Sequence, residues 1–311
     1  MSRLTVAVCT YNRAHLLPGL ITALRELKAP VEWDILVVNN NSTDDTDSVL
    51  KALQNQPGIP LRYVSEPQQG IPFARNRAIE ECLERDYMLF MDDDEIPGSK
   101  FISAALKTFD SNDADCVGGR VKVQFPESTG RPKWLTDSLM GFLAEIDYGA
   151  DSFRVTDKTT PLWTANIGYR MQLFRDNSFI RFDIRYNRAG EGVGGGSDAI
   201  MFRSLLNNGF RIFYAPEMIV YHYVEEWRIR RLYFIKLHFN SGRKHGQFEL
   251  GQFDRTIFGI PPFLLIKAGK HILVGLGAFL MRDPEVVRKM MNTSHTLGTI
   301  WGLFLRWRSV R

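Results

Sequence analysis

Four carboxylates close a short apolar run: Tyr87-Met88-Leu89-Phe90-Met91 leads straight into Asp92-Asp93-Asp94-Glu95. The run reads as a buried strand. Acids crowded at its tip repel one another. A divalent cation with oxygen ligands, often shared with phosphate groups, is the usual way to relieve that repulsion. A solvated acidic turn is the plainer reading of the acids alone. In open α/β sheets, however, ligands gather at the carboxyl ends of strands, so the apolar strand in front of these acids favours a binding site.

The elements around the turn follow from periodicity and punctuation. Leu4–Cys9 predicts a strand, and a helix follows from about Ala14 to Lys28, with Leu16, Leu17, Leu20, Leu24 and Leu27 at helical spacing and Pro30 beyond it. Asp34–Val38 predicts a second strand, and the polar stretch 39–46 turns into a helix N-terminus with several candidate caps. Leu61–Val64 is a third strand, Gln69-Gly70-Ile71-Pro72 a turn and Phe73–Arg85 a helix, before the fourth strand ends in the acids. This fourfold alternation predicts an α/β unit on a mainly parallel sheet. Further on, Ala114–Phe125 predicts a strand or hairpin segment, Leu162–Phe174, Arg211–Tyr214 and Met218–Tyr223 predict strands, and Ser197 can cap a helix over 198–208 that Gly209 stops. The glycine loop 190–196 lacks the preceding apolar strand that a dinucleotide fingerprint needs, so it reads as a mobile loop on the acceptor side.

Composition sets the wider frame. The chain has 311 residues, and its three cysteines, Cys9, Cys82 and Cys116, have neither zinc-site nor disulfide-framework spacing. That points to a reducing compartment. The first apolar run is too short for a signal peptide. The net charge of +4 hides an asymmetry. Residues 1–224 carry 24 Lys and Arg against 29 Asp and Glu, and residues 225–311 carry 15 against 6. The basic third holds a helix rich in Arg and aromatics over 227–239, two apolar blocks at 257–266, interrupted by Pro261-Pro262, and 272–281, parted by Lys267, Lys270 and His271, and a final stripe of Trp301, Phe304 and Trp307. Neither block is long enough to span a bilayer by itself. Apolar and aromatic faces edged with Lys and Arg suit an interfacial helix better than a nucleic-acid track, so a membrane surface is the expected partner. A helical cap packed on the main domain is the alternative.

Four stretches carry a resemblance. Val6-Ala7-Val8-Cys9-Thr10-Tyr11-Asn12-Arg13, Val37 through Thr46, Gly70 with Ala74-Arg75-Asn76, and Phe90 through Glu95 resemble, in order and distance, the family 2 glycosyltransferases of GT-A fold. The likeness continues through Asn166 and Gly195-Gly196-Ser197-Asp198. Looser similarity over 216–246 points to bacterial exopolysaccharide transferases of the succinoglycan glucosyltransferase type. The resemblance implies a GT-A domain over 1–224, Rossmann-like, followed by a membrane-associating extension over 225–311. It implies that Thr10, Asn12 and Arg13 line the nucleoside side of a nucleotide-sugar donor, favouring a UDP-sugar. Asn39 stands where many members read uracil with Asp, and Arg75 matches a basic residue near the nucleotide. Asp92 and Asp94 match the Asp-x-Asp signature, the first near the ribose and the second on Mg²⁺ or Mn²⁺. Asp93 belongs to the same donor-binding turn. Asp198 matches the general base of inverting members, although Ser197 replaces the common Glu before it, and dipole compensation would also place an Asp there. His222 matches a metal-ligating His of some members, and packing is its alternative role. The function implied is inverting, metal-dependent sugar transfer to a glycan, lipid-linked, at the cytoplasmic face of a bacterial inner membrane. A glycan-assembly scaffold without chemistry is the alternative, resting on Ser197 and the Asn-rich second loop.

Overall fold

The computed structural model describes residues 3–187 and 196–309. In chain order they form β1 (Arg3–Thr10), α1 (Leu17–Arg25), β2 (Glu32–Asn39), α2 (Thr46–Gln54), β3 (Leu61–Ser65), α3 (Ile71–Glu81), β4 (Tyr87–Asp92), β5 (Glu95–Pro97), α4 (Phe101–Asn112), β6 (Cys116–Gln124), α5 (Asp137–Met140), β7 (Phe153–Val155), β8 (Asn166–Arg170), α6 (Gln172–Asp176), α7 (Ser197–Asn207), β9 (Ile212–Tyr223), α8 (Arg231–Lys244), α9 (Pro262–Leu280) and α10 (Val286–Ser309). Two compact units result.

The first unit comprises 3–124, 143–187 and 197–224. Its sheet runs β3-β2-β1-β4-β8-β6-β9-β5, with β7 on β9. The strands β3, β2, β1 and β4 are parallel. The inner strands β1, β2 and β4 carry buried, nearly continuous apolar runs, because helices cover both faces of a parallel sheet, whereas β3 at the edge is only partly buried. Beyond β4 the sheet is mixed: β8 is antiparallel to β4 and β6, and β9 is parallel to β6 and antiparallel to β5. The mainly parallel expectation therefore describes the N-terminal half only. The two strands expected at 211–214 and 218–223 are one strand, β9, whose register against β6 shifts between Gly119 and Arg120. The buried Asn166 amide fixes that bulge, donating to Arg120 O at 2.9 Å and Met218 O at 2.8 Å. The Trp163 ring packs against the core. All three cysteines are free, with Cys82 and Cys116 buried and Cys9 partly so.

The second unit comprises 125–142 and 225–309. Its central feature is a reciprocal glycine crossing of α8 and the turn after it with α10. A methyl added at Gly242 would lie 2.0 Å from His295 O, and one at Gly298 would lie 2.1 Å from Phe239 O. Gly246 and Gly302, one turn further on, meet backbone in the same way. Only glycine lets two helix backbones approach this closely, as in small-residue helix pairs generally. The two apolar blocks of the sequence form a single helix, α9, of 19 residues. Pro262 starts it rather than interrupting it, because the first helical position needs no N–H. By length and composition alone α9 is long and apolar enough to cross a membrane; neither block reaches that length by itself, and the joined helix does.

Candidate active site

The loops after β1, β2 and β4 meet at the carboxyl end of the parallel half-sheet. Asn12, at φ +52°, turns the first loop. Its amide oxygen accepts from Thr43 N–H at 2.7 Å, and Ser42 Oγ accepts from Asn12 N–H at 3.0 Å. Asn39 makes the same kind of local turn, its oxygen accepting from Ser42 N–H at 3.1 Å. Its side chain thus shapes the loop expected to read the base. Asn40 does the longer-range work. It accepts from Gly70 N–H at 2.7 Å and donates to Gln68 O at 2.8 Å. That anchors the start of α3 at the end of β2 and so sets the height of Arg75, about a turn into α3.

The acidic turn has a built-in counter-charge. Arg13 Nη1 lies 2.7 Å from Asp93 Oδ1 and 2.8 Å from Asp94 Oδ2. Thr10 Oγ1 donates to Asp93 Oδ2 at 2.8 Å. Burial pushes the Asp93 carboxyl up to about 6, against the pull of Arg13 and with the help of Asp94. Glu95 is 1% exposed and turns inward, where Oε2 accepts from Asp92 N–H at 2.8 Å. Burial, then Asp92 and Asp94, push it well above the usual carboxylate range. Glu95 therefore shapes the turn. Asp92, with a side chain 44% exposed, is the open member of the set.

Across from the turn, Arg75 collects the acids of both sides. Its guanidinium is 7% exposed, with Nη1 at 2.7 Å from Asp198 Oδ1 and Nη2 at 3.5 Å from Asp92 Oδ1. Burial opposes its charge, but Asp198 and Asp92 outweigh burial and hold it ionised. The Phe182 ring lies beneath at 5.4 Å. Asn76 holds Phe182 there by exchanging two hydrogen bonds with its backbone, at 2.9 and 2.8 Å. This explains why an Arg and an Asn stand side by side in the third motif. Asp198 Oδ1 also accepts from Thr164 Oγ1. Asp198 Oδ2 has no hydrogen-bond partner among the described residues, and the side chain is 30% exposed. Thr164 and Phe182 had no signal in the sequence, because only tertiary folding brings them to Asp198 and Arg75. Of the glycine loop, residues 190–195 lie outside the described residues.

His222 sits on β9 beside β5, where its register partner is Glu95. Its Nδ1 is 2.9 Å from Leu143 O. A carbonyl can only accept, so Nδ1 donates to it, and Nε2 on the other side of the ring faces Asp94 Oδ1 at 3.6 Å. A metal-ligating imidazole is commonly oriented this way, by a carbonyl behind it. Hard carboxylate oxygen beside an imidazole suits Mn²⁺ at least as well as Mg²⁺. The donor set therefore fits a divalent cation whose other ligands come from phosphate or water. Among the described residues no group of three or more His, Cys, Asp and Glu side chains converges on one point.

A parallel β3-β2-β1-β4 half-sheet joined to a mixed half, with an Asp-x-Asp turn at its carboxyl edge, is the GT-A arrangement. The chain belongs to glycosyl transferase family 2, whose family model matches residues 5–178, and it is a glycosyltransferase. The succinoglycan biosynthesis protein ExoM of Rhizobium meliloti is 25% identical over 252 residues, covering 78% of this chain and 74% of ExoM. In the solved structures, the crystal structure of Staphylococcus aureus TarS 1–349 with UDP-GlcNAc matches 100% of this chain and 93% of its own, at 16% identity and TM-score 0.56. The chain spans 39% of a longer TarS crystal chain. The mannosyltransferase PcManGT of Pyrobaculum calidifontis, with GDP-Man and Mn²⁺, matches 97% of this chain and 87% of its own, at 17% identity and TM-score 0.58. These structural likenesses concern the fold.

Proposed function

We propose that this glycosyltransferase moves one sugar from a nucleotide-sugar donor, a UDP-sugar, onto a hydroxyl of a lipid-linked glycan, with inversion at the anomeric carbon. The carrying observation is the shared guanidinium of Arg75, which ties a donor-side acid, Asp92, to an acceptor-side acid, Asp198. In this reading the acceptor hydroxyl oxygen attacks the anomeric carbon as the bond from that carbon to the diphosphate oxygen breaks. The hydroxyl proton passes to Asp198 Oδ2, and the bonding electrons leave with the diphosphate. Arg75 and Thr164 both bind Asp198 Oδ1, which leaves Oδ2 to take the proton as a general base does. Thr10, Asn12, Arg13 and Asn39 build the donor-side wall, and Asp93 holds Arg13 against it.

Asp94 and His222 would hold a divalent cation, Mg²⁺ or Mn²⁺. When bound, that ion supplies Lewis-acid charge to the departing diphosphate. Arg13, already on Asp94, sits where it can pass from the carboxylates to the phosphates. The basic C-terminal unit supports peripheral attachment to the cytoplasmic face of the inner membrane, and the relationship to ExoM supports a role in cell-surface polysaccharide synthesis.

A donor screen tests this reading. UDP-, GDP- and dTDP-sugars are offered with Mn²⁺ and a lipid-linked glycan acceptor, and released nucleoside diphosphate is measured. One donor should stand out, and Asp198→Asn should bind it normally yet not transfer. Undiminished transfer by Asp198→Asn would remove the assignment of the base.

A further inference from the structure

We infer that α9 is the membrane-docking element and that it lies flat in the headgroup layer of an anionic bilayer instead of crossing it. This rests on the membrane reading above and makes it specific. One narrow stripe of α9 is taken. Leu264, Ala268, Gly275 and Ala278 are buried, and His271 Nδ1 meets Thr296 Oγ1 of α10 at 2.9 Å while Thr293 Oγ1 donates to His271 O at 3.0 Å. The spacing is four, three, four, three, a single seam on one side of a helix.

Directly opposite, at intervals of seven, stand Ile266, Leu273 and Leu280, 62%, 71% and 80% exposed. Leu265, Ile272, Leu276 and Phe279 widen them into an exposed apolar sector of roughly 140°. Water-soluble surfaces do not carry such a patch without a partner. Lys267 and Lys270, both exposed, stand three residues apart along one edge of the sector. An apolar sector edged by lysines on one side is the pattern of a helix lying in an interface. The charge of the region agrees, with 15 Lys and Arg against 6 Asp and Glu over 225–311, and it selects anionic lipid as the occupant.

Crossing is disfavoured by the same residues. A 19-residue helix is about 28 Å long, enough to span. Spanning, however, would put Lys267 and Lys270 about a quarter and somewhat under a half of the way along the helix, inside the hydrocarbon. It would also draw in α10, seamed to α9 and bearing Arg288, Lys289, Asn292 and His295. Ionisable groups at that depth are costly. Lying flat leaves the two lysines at headgroup level and α10, on the seam side, in water.

The test uses the full chain with vesicles of phosphatidylcholine alone or of phosphatidylcholine with phosphatidylglycerol. Sedimentation should show binding to the anionic vesicles, weakened about tenfold or more by Leu273→Asp and also by the Lys267→Glu/Lys270→Glu pair. These positions are exposed, and a circular-dichroism melt checks that the variants remain folded. Fluorophores on Ile266→Cys, Leu273→Cys and Leu280→Cys, quenched by brominated lipids, should report one shared shallow depth. A gradient of depth along the three would mean a spanning helix and overturn the inference. Binding untouched by the α9 variants would overturn it while leaving the membrane reading in place. No binding to any vesicle, or a stable dimer that buries this face and ignores lipid, would remove both.

Discussion

Arg75 Nη1 lies 2.7 Å from Asp198 Oδ1, and Nη2 of the same guanidinium lies 3.5 Å from Asp92 Oδ1. One planar cation thus spans the two carboxylates that the proposed mechanism sets on opposite sides of the reacting carbon. A lysine ammonium is a point charge and cannot fork between them. Arg75→Lys is therefore expected to fold normally and to lose about 100-fold or more in kcat/KM, in the range that mispositioned groups cost. Initial rates and a thermal melt check this. A variant at wild-type rate would mean that the bridge is only structural.

In the proposed mechanism Thr164 acts through Asp198, to which its hydroxyl donates. Removing its hydroxyl while keeping its shape, as Thr164→Val, should free Asp198 to turn. The expected outcome is a kcat lower by about tenfold with donor KM unchanged, since the loss falls on the reaction step and not on binding. Thr164→Ser, which restores the donor, should recover most of the rate. Equal losses in the Val and Ser variants would place the effect in packing.

The Asp94–His222 pair can be read without any turnover. Titration of Mn²⁺ in the presence of UDP, followed by electron paramagnetic resonance, should show a bound ion. Asp94→Asn should weaken that binding strongly. His222→Gln and a change behind the ring that removes the Leu143 carbonyl contact should each weaken it by about 10- to 100-fold. Unchanged binding in His222→Gln would return His222 to a packing role.

His238 gives the C-terminal unit a pH dependence. Burial lowers its pKa to about 4, against the pull of its bond to Phe234 O, and its ring meets that of Phe142 at 4.6 Å. The unfolded chain takes up the proton near the ordinary value of about 6.5. Below that pH the unfolded state binds more protons than the folded one, so stability is full above about 6.5 and declines as pH falls toward about 4. His238→Gln should flatten melting temperature over that window, as measured by calorimetry.

Much of this was legible before folding. Alternating apolar runs gave the parallel half-sheet, since a strand buried on both faces has no polar alternation to hide it. The acids after β4 and the base candidate at the start of α7 could be named from type and position. The mixed half could not, because β8, β6 and β9 pair across long sequence separations and a bulge joins what read as two strands. Pro262 read as a break but was a helix start, since a proline is excluded from a helix interior yet favoured at its first turn. At the site, the partners were hidden rather than the acids: Arg13 for Asp93 and Asp94, Thr164 for Asp198, and Phe182 beneath Arg75. Those pairings span 80, 34 and 107 residues of chain, and no local pattern encodes them.

The three free cysteines have a consequence for labelling chemistry. Only a thiolate alkylates readily, and burial pushes the Cys9 thiol up to about 12 and Cys82 up to about 11, with Cys116 raised well above its ordinary value. Near neutral pH all three remain protonated, and Cys82 and Cys116 are enclosed in the core. A maleimide should thus leave the native protein almost unmarked. A single cysteine introduced on an exposed surface would then be the one reactive handle, with the core cysteines left in place to do their packing.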